Sequence, residues 1–163
     1  MNTPPPVHRL LFTGTMGVGK STAVSSLLAA PLVSEALDGG SVPVAVDHGE
    51  VVLDNGDRLQ LYGTPGQRRF EPTWRTLAHG AIGLVVLVDH ARPDPVADLI
   101  GRTGCVIGVG RLAPGAAPGL EALAEAAARH GVVCPIVPLD VRDPAQVRRL
   151  VDLLLVQLES RGL

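Results

Sequence analysis

The chain has 163 residues, a formal net charge of −2, and a composition that is 46% hydrophobic but only 2% aromatic. That length suits one α/β domain with a core of Ala, Val and Leu, and the near-neutral balance excludes a basic nucleic-acid surface and an acidic tail. The longest apolar run, residues 81–88, falls far short of the roughly 18–20 residues of a membrane span, and two cysteines are too few for a disulfide framework or a zinc site.

The start, Met1-Asn2-Thr3-Pro4-Pro5-Pro6, lacks the charged and apolar regions of a signal peptide, and neither end carries a lipidation pattern. Residues 1–6 read as a flexible lead-in and 7–160 as a single domain, expected in the cytoplasm with no direct membrane insertion. Residues 7–13 are a short apolar run that stops at a glycine-rich turn, the pattern of a buried strand. Residues 20–30 have helical spacing and end before Pro31, and residues 31–43 read as irregular. Residues 44–53 and 58–62 alternate in strand fashion around Asp54-Asn55-Gly56-Asp57, a strong hairpin signal.

After Gly63-Thr64-Pro65-Gly66, residues 71–79 predict a short helix. Residues 82–89 are nearly continuous Val and Leu, as a parallel strand buried on both faces requires. A short helix over 93–102, a buried strand over 105–109, an Ala-rich helix over 120–130 and a last strand over 134–139 follow. Asp143-Pro144 opens a final helix with an N-cap and a proline at the first helical position. Strands alternating with helices predict a three-layer α/β/α domain around a mostly parallel six-stranded sheet with one antiparallel hairpin strand.

Of the 14 Lys and Arg residues, only Lys20 is lysine. Arginine solvates a surface equally well, so the remaining lysine belongs where an ammonium on a flexible stem is needed. It lies in Gly14-Thr15-Met16-Gly17-Val18-Gly19-Lys20-Ser21-Thr22, which fits G-x-x-x-x-G-K-[ST] between a predicted strand and a predicted helix. Gly14 and Gly19 let the intervening backbone N–H groups turn inward around a β-phosphate. Lys20 can span the β- and γ-phosphates as a point charge, Ser21 can offer its hydroxyl to Mg²⁺, and the helix presents its positive dipole end. The competing reading is a glycine-rich turn that binds nothing, which leaves the single lysine unexplained.

Gly66-Gln67 bears on which phosphate-loop class this is. In switch GTPases a glycine after the third strand gives its N–H to the γ-phosphate, and the following glutamine orients the attacking water. Gln67 is thus the candidate catalytic residue and Gly66 the candidate γ-phosphate sensor; a type II turn centred on Pro65-Gly66 is the plainer alternative. A small-molecule kinase would need an acceptor site and an arginine-bearing lid, and neither is evident.

Residues 14–22, Val44-Ala45-Val46-Asp47-His48-Gly49, Leu61-Tyr62-Gly63-Thr64-Pro65-Gly66-Gln67, Gly80-Ala81-Ile82-Gly83 and residues 85–89 resemble the bacterial MglA-like small Ras-type GTPases, the conservon-type members above all. The resemblance runs over about residues 7–158 and is sharpest up to Asp89. It implies a Ras-like P-loop fold, binding of GTP or GDP with Mg²⁺, and action as a molecular switch. It also implies Roadblock/LC7-type regulators and a sensor-kinase-like membrane protein as partners, with recruitment to the membrane through such a partner.

Several positions depart from the family pattern. The Asp that holds Mg²⁺ through water in Ras-type proteins is Gly63 here, a loss that MglA-like proteins share. The switch I Thr falls at about Pro43, which has neither hydroxyl nor N–H, with Ser41 the nearest substitute. No arginine stands between Arg9 and Arg58 to serve as an intrinsic finger; Arg68 and Arg69 follow Gln67 and read as solvated helix ends or as substitutes. The guanine-reading N-K-x-D is replaced by Gly110-Arg111-Leu112-Ala113, which removes the carboxylate that pairs bidentately with guanine. Arg111 can still cover the base face. Asp140-Val141-Arg142 takes the place of S-A-K, where the Val141 N–H can still meet the guanine oxygen.

Asp89-His90 ends a strand at the edge where ligands of such sheets gather, or forms a cap or turn. His48, His79 and His130 read as surface or cap residues, and Cys105 and Cys134 as buried inert thiols at the starts of two strands. Residues 153–156, Leu-Leu-Leu-Val, read as core-facing. Three activities fit these residues: a slow GTPase that needs a partner, a pseudo-GTPase that works by protein contact, and a small-molecule kinase. Phosphate binding is expected intact and base specificity damaged, so ATP is not excluded.

Overall fold

Residues 3–14, 19–28, 33–38, 43–63, 80–89, 104–110, 124–125, 128–129 and 134–160 are described in the computed structural model. In chain order they form β1 (Val7–Gly14), α1 (Lys20–Leu27), β2 (Val33–Asp38), β3 (Pro43–Val52), β4 (Arg58–Gly63), β5 (Gly83–Asp89), β6 (Gly104–Gly110), β7 (Ile136–Pro138) and α2 (Pro144–Ser160). The sheet order is β2-β3-β4-β1-β5-β6-β7. Strand β3 runs antiparallel to both of its neighbours and every other pair is parallel, so the sheet has a single reversed strand.

The central strands are apolar because both of their faces are covered. Leu10, Phe12, Val85, Leu87 and Val106 turn to one side and pack with Ala23 and Val24 of α1 and with Val147, Leu150, Leu154 and Leu158 of α2. Leu11, Leu84, Val86, Ile107 and Val109 alternate to the other side and are buried as well, as a three-layer domain requires. Each such side chain contributes roughly 1.5–3 kcal/mol on leaving water, which lets a chain poor in aromatics hold its sheet.

The six predicted strands are present, and the irregular segment expected over 31–43 contains a seventh. Strand β2 pairs along its whole length with β3, from Val33 opposite His48 to Asp38 opposite Pro43. Helix α1 stops at Leu27 rather than 30, because Leu28 turns extended (φ −92°, ψ 139°) and its side chain fills the space over Gly49 of β3. Strand β7 is three residues rather than six, bracketed by Pro135 and Pro138. Of residues 153–156, Leu154 is buried, but Leu153 and Val156 lie 42% and 64% exposed. The predicted helices over 71–79 and 93–102 lie outside the described residues; within 120–130, residues 124–125 and 128–129 are helical. No helix among the described residues is long and apolar enough to cross a membrane.

The β3–β4 hairpin closes as its sequence predicts, through the five residues 53–57. The Gly56 N–H donates to Leu53 O at 2.9 Å and the Leu53 N–H to Asp57 O at 2.8 Å. Gly56 takes φ +90°, a conformation that favours glycine. At the start of α2, the Ala145 N–H donates to Asp143 Oδ1 at 3.0 Å, so Asp143 is the N-cap ahead of Pro144. Asp143→Ala is expected to cost about 0.5–2 kcal/mol in urea unfolding, with an unchanged denaturant slope.

Candidate phosphate-binding site

Strand β1 ends and α1 begins on two glycines. Gly14 has φ +151°, and Gly19, the residue before the helix, has φ +103° and ψ 25°, in the left-handed region. Its carbonyl accepts the Ala23 N–H at 2.9 Å and so starts the helix. No side chain caps α1 by hydrogen bonding among the described residues, and the positive end of the helix dipole lies at this turn. A β-carbon at Gly19 would also lie 2.8 Å from Val141 Cγ2. Two constraints, dihedral and steric, therefore require glycine there.

Lys20 folds back across this turn, and its Nζ donates to Gly14 O at 2.8 Å. The ammonium is thus held over the end of β1, at the carboxyl edge of a parallel sheet. Burial penalises the charge and lowers the Lys20 pKa from 10.5 to about 8. The side chain still carries its proton at neutral pH. Because the folded value lies below the unfolded one, the empty protein gains stability as pH rises from about 8 toward 10.5.

The 140–143 turn closes the other side. The Asp143 N–H donates to Asp140 O at 3.0 Å and the Leu139 N–H to Val109 O at 2.9 Å, while Gln146 Oε1 accepts the Asp140 N–H at 2.9 Å. Asp140 Oδ1 accepts from both the backbone N–H and Nε of Arg142, each at 3.0 Å. This exposed pair holds the Asp140 carboxyl below its usual range and raises the Arg142 guanidinium. Between the turn and α1 lies an open groove of about 470 Å³ lined by Ser21, Thr22, Ser25, Ser26, Val141, Arg142 and Pro144.

The structure therefore brings Gly14, Gly19, Lys20, Ser21 and Thr22 together with Asp140, Val141 and Arg142, across a wide gap in sequence. Thr15, Met16, Gly17, Val18, Gly66, Gln67 and Arg111 lie outside the described residues, as do Ser41, Arg68, Arg69, His79, His90, Ala113 and His130. Gly63 ends β4, buried, opposite Phe12 and Asp47. Pro43 starts β3, and Asp89 ends β5 opposite Gly110. His48 stacks on Tyr62 with ring centroids 5.4 Å apart, and the Arg9 guanidinium lies 5.0 Å from the same ring.

The sequence reading missed two supports of this site, Gln146 and the Gly19–Val141 contact. A glutamine at the third helical position after an Asp cap is a capping-box signal that could have exposed the first. The oxygen chemistry fits Mg²⁺: the Ser21 hydroxyl is a hard donor on the first turn of α1. No cluster of three or more His, Cys, Asp or Glu suited to a metal exists among the described residues. Phosphate oxygens and water would complete the shell, as is usual for this ion.

No family model matches the sequence, and no curated protein matches it. Solved structures do match. The cytosolic domain of the T. maritima FeoB iron transporter in GMPPNP form superposes with a TM-score of 0.69 at 14% identity, over 93% of this chain and 64% of that one. Its GDP form II gives 0.71 at 13% identity, over 96% and 65%. A bacterial selenocysteine-specific elongation factor, EF-Sec, gives 0.75 at 17% identity, over 95% of this chain and 29% of that one. The chain thus spans less than two thirds of the FeoB cytosolic domain. At these identities the likeness establishes the fold: a Ras-like P-loop α/β domain.

Proposed function

We propose that the chain is a small Ras-like nucleotide switch that binds GTP and GDP with Mg²⁺ and hydrolyses GTP slowly until a partner completes its site. One observation carries this reading: the only lysine of the sequence is half-buried over the end of β1, its ammonium fixed to Gly14 O between two glycines at positive φ. A half-buried ammonium beside helix-start amides suits a polyanion. The GMPPNP and GDP forms of the FeoB domain lend support by fold alone. Ser21 would hold the ion with phosphate oxygens, and Mg²⁺, when bound, neutralises charge on the transferring phosphoryl group. Gly66 would sense the γ-phosphate and Gln67 would position water. By resemblance, the switch belongs with the MglA-like conservon proteins in the cytoplasm, with Roadblock/LC7-type regulators and a sensor-kinase-like membrane protein as partners.

A second reading, a pseudo-GTPase that holds nucleotide without turnover, is favoured by Pro43. This residue is built into the β2–β3 ladder opposite Asp38 and has no hydroxyl to offer a metal. Identifying the nucleotide that co-purifies, followed by single-turnover hydrolysis, separates the two. Guanine nucleotide with slow, regulator-accelerated hydrolysis supports the switch. Bound nucleotide with no turnover in the presence of a regulator supports the second reading. Adenine nucleotide overturns the guanine assignment.

The lysine also sets a pH dependence. Phosphate stabilises the ammonium and raises its pKa, so binding takes up a proton above pH 8. Affinity should be flat below about pH 8 and fall by up to about tenfold per pH unit above it. Calorimetry in buffers of different ionisation enthalpy checks the sign, and affinity rising with pH would contradict it.

A further inference from the structure

We propose that Cys105 and Cys134 form an oxidisable dithiol: Cys134 reacts with a hydroperoxide, and Cys105 closes the product to a disulfide joining β6 to the residues that open β7. The register places them together. Ile107 lies opposite Ile136 and Gly108 opposite Val137, and the Ile107 N–H donates to Pro135 O at 2.9 Å. Continued two residues back along each chain, past the start of β7, this register brings Cys105 opposite Cys134. Such residues project to one side with Cα atoms about 4.8 Å apart, inside the roughly 4.4–6.8 Å window for a disulfide.

The two members are unequal, as attack and resolution require. Cys105 is 3% exposed, whereas Cys134 is only partly buried. The Cys105 hydrogen bond lowers the Cys134 pKa, against an opposing effect of burial, and so favours the nucleophilic thiolate. The Cys134 thiolate attacks the distal peroxide oxygen; the O–O bond breaks, and water or an alcohol leaves after protonation, giving a sulfenic acid. The Cys105 sulfur then attacks the Cys134 sulfur, the S–OH bond breaks, and water departs with the Cys105 proton. Two thiols and one hydroperoxide thus become one disulfide, one water, and one further water or alcohol. Cys105 stands near the amino end of β6, at the other end of the strand from Gly110.

The test treats the full chain with stoichiometric hydrogen peroxide, then alkylates it under denaturing, non-reducing conditions. The expected result is an intact mass lower by two hydrogens, no alkylation, a Cys105–Cys134 cross-link in the peptide map, and reversal by dithiothreitol. Cys105→Ser should instead accumulate a dimedone-reactive Cys134, and Cys134→Ser should lose peroxide reactivity at least tenfold. The wild-type peptide map decides the matter even if Cys105→Ser fails to fold. Both thiols remaining alkylatable, disulfide-linked dimers, or oxygen gained at Cys105 first would each overturn the proposal.

Discussion

Exchanging Lys20 for alanine is expected to lower nucleotide affinity by about 100-fold or more, measured by calorimetry with GDP and GTP. Each hydrogen bond from an ammonium to phosphate contributes roughly 1.5–3 kcal/mol, and this site offers one ammonium for two phosphates. Stability should change far less. Burial already disfavours the charged amine, as its pKa of about 8 records, so alanine removes an unfavourable desolvation along with the bond to Gly14 O. Lys20→Arg should not restore affinity, since a planar fork cannot reproduce a point charge on a thin stem. Undiminished affinity in Lys20→Ala would mean that the polyanion is gripped elsewhere.

Leu150→Ala should be the most damaging single truncation in α2. Leu150 is 1% exposed, and its Cδ2 would lie 3.0 Å from a β-carbon built on Gly108, with Leu139 Cδ2 at 2.8 Å and Leu87 Cδ2 at 3.3 Å. Three leucines therefore converge on one glycine of β6. Removing one leaves a cavity that its neighbours cannot close, at a cost of about 2–5 kcal/mol. Melting should fall by about 5–15 °C. Leu153→Ala, on the 42% exposed side of the same helix, should stay within about 0.5 kcal/mol. Gly108→Ala alone overpacks the site, but combined with Leu150→Ala its methyl enters the vacated space. The double variant should be more stable than the sum of the singles predicts. Strict additivity would show that the two positions do not share a cavity.

Sequence reading succeeded where burial is local and two-sided. The runs in β1 from Leu10 to Thr13, in β5 and in β6 announce themselves because residues on both faces of these strands are buried. The turn between β1 and α1 could be placed for a different reason, since the motif keeps Gly14, Gly19, Lys20 and Ser21 close in sequence. Strand β2 was not. Ser34, Glu35, Ala36 and Asp38 are poor strand formers, and the segment is extended because β3 offers it a ladder. The end of α1 was missed because tertiary packing, Leu28 over Gly49, overrides a periodicity that would carry the helix further. In the candidate site, Lys20 and Ser21 could be named from spacing. That Val141 abuts Gly19 depends on bringing the two ends of the chain together.

The outermost strand beyond β6 also limits how the sheet can grow. Pro135 O and the Leu139 N–H bond inward to β6, so by the two-residue alternation Ile136 and Pro138 face outward. Proline has no N–H, which leaves Ile136 as the one amide of β7 that an incoming chain could use. An incoming chain therefore finds a single backbone donor along that strand, a poor template for edge-to-edge pairing.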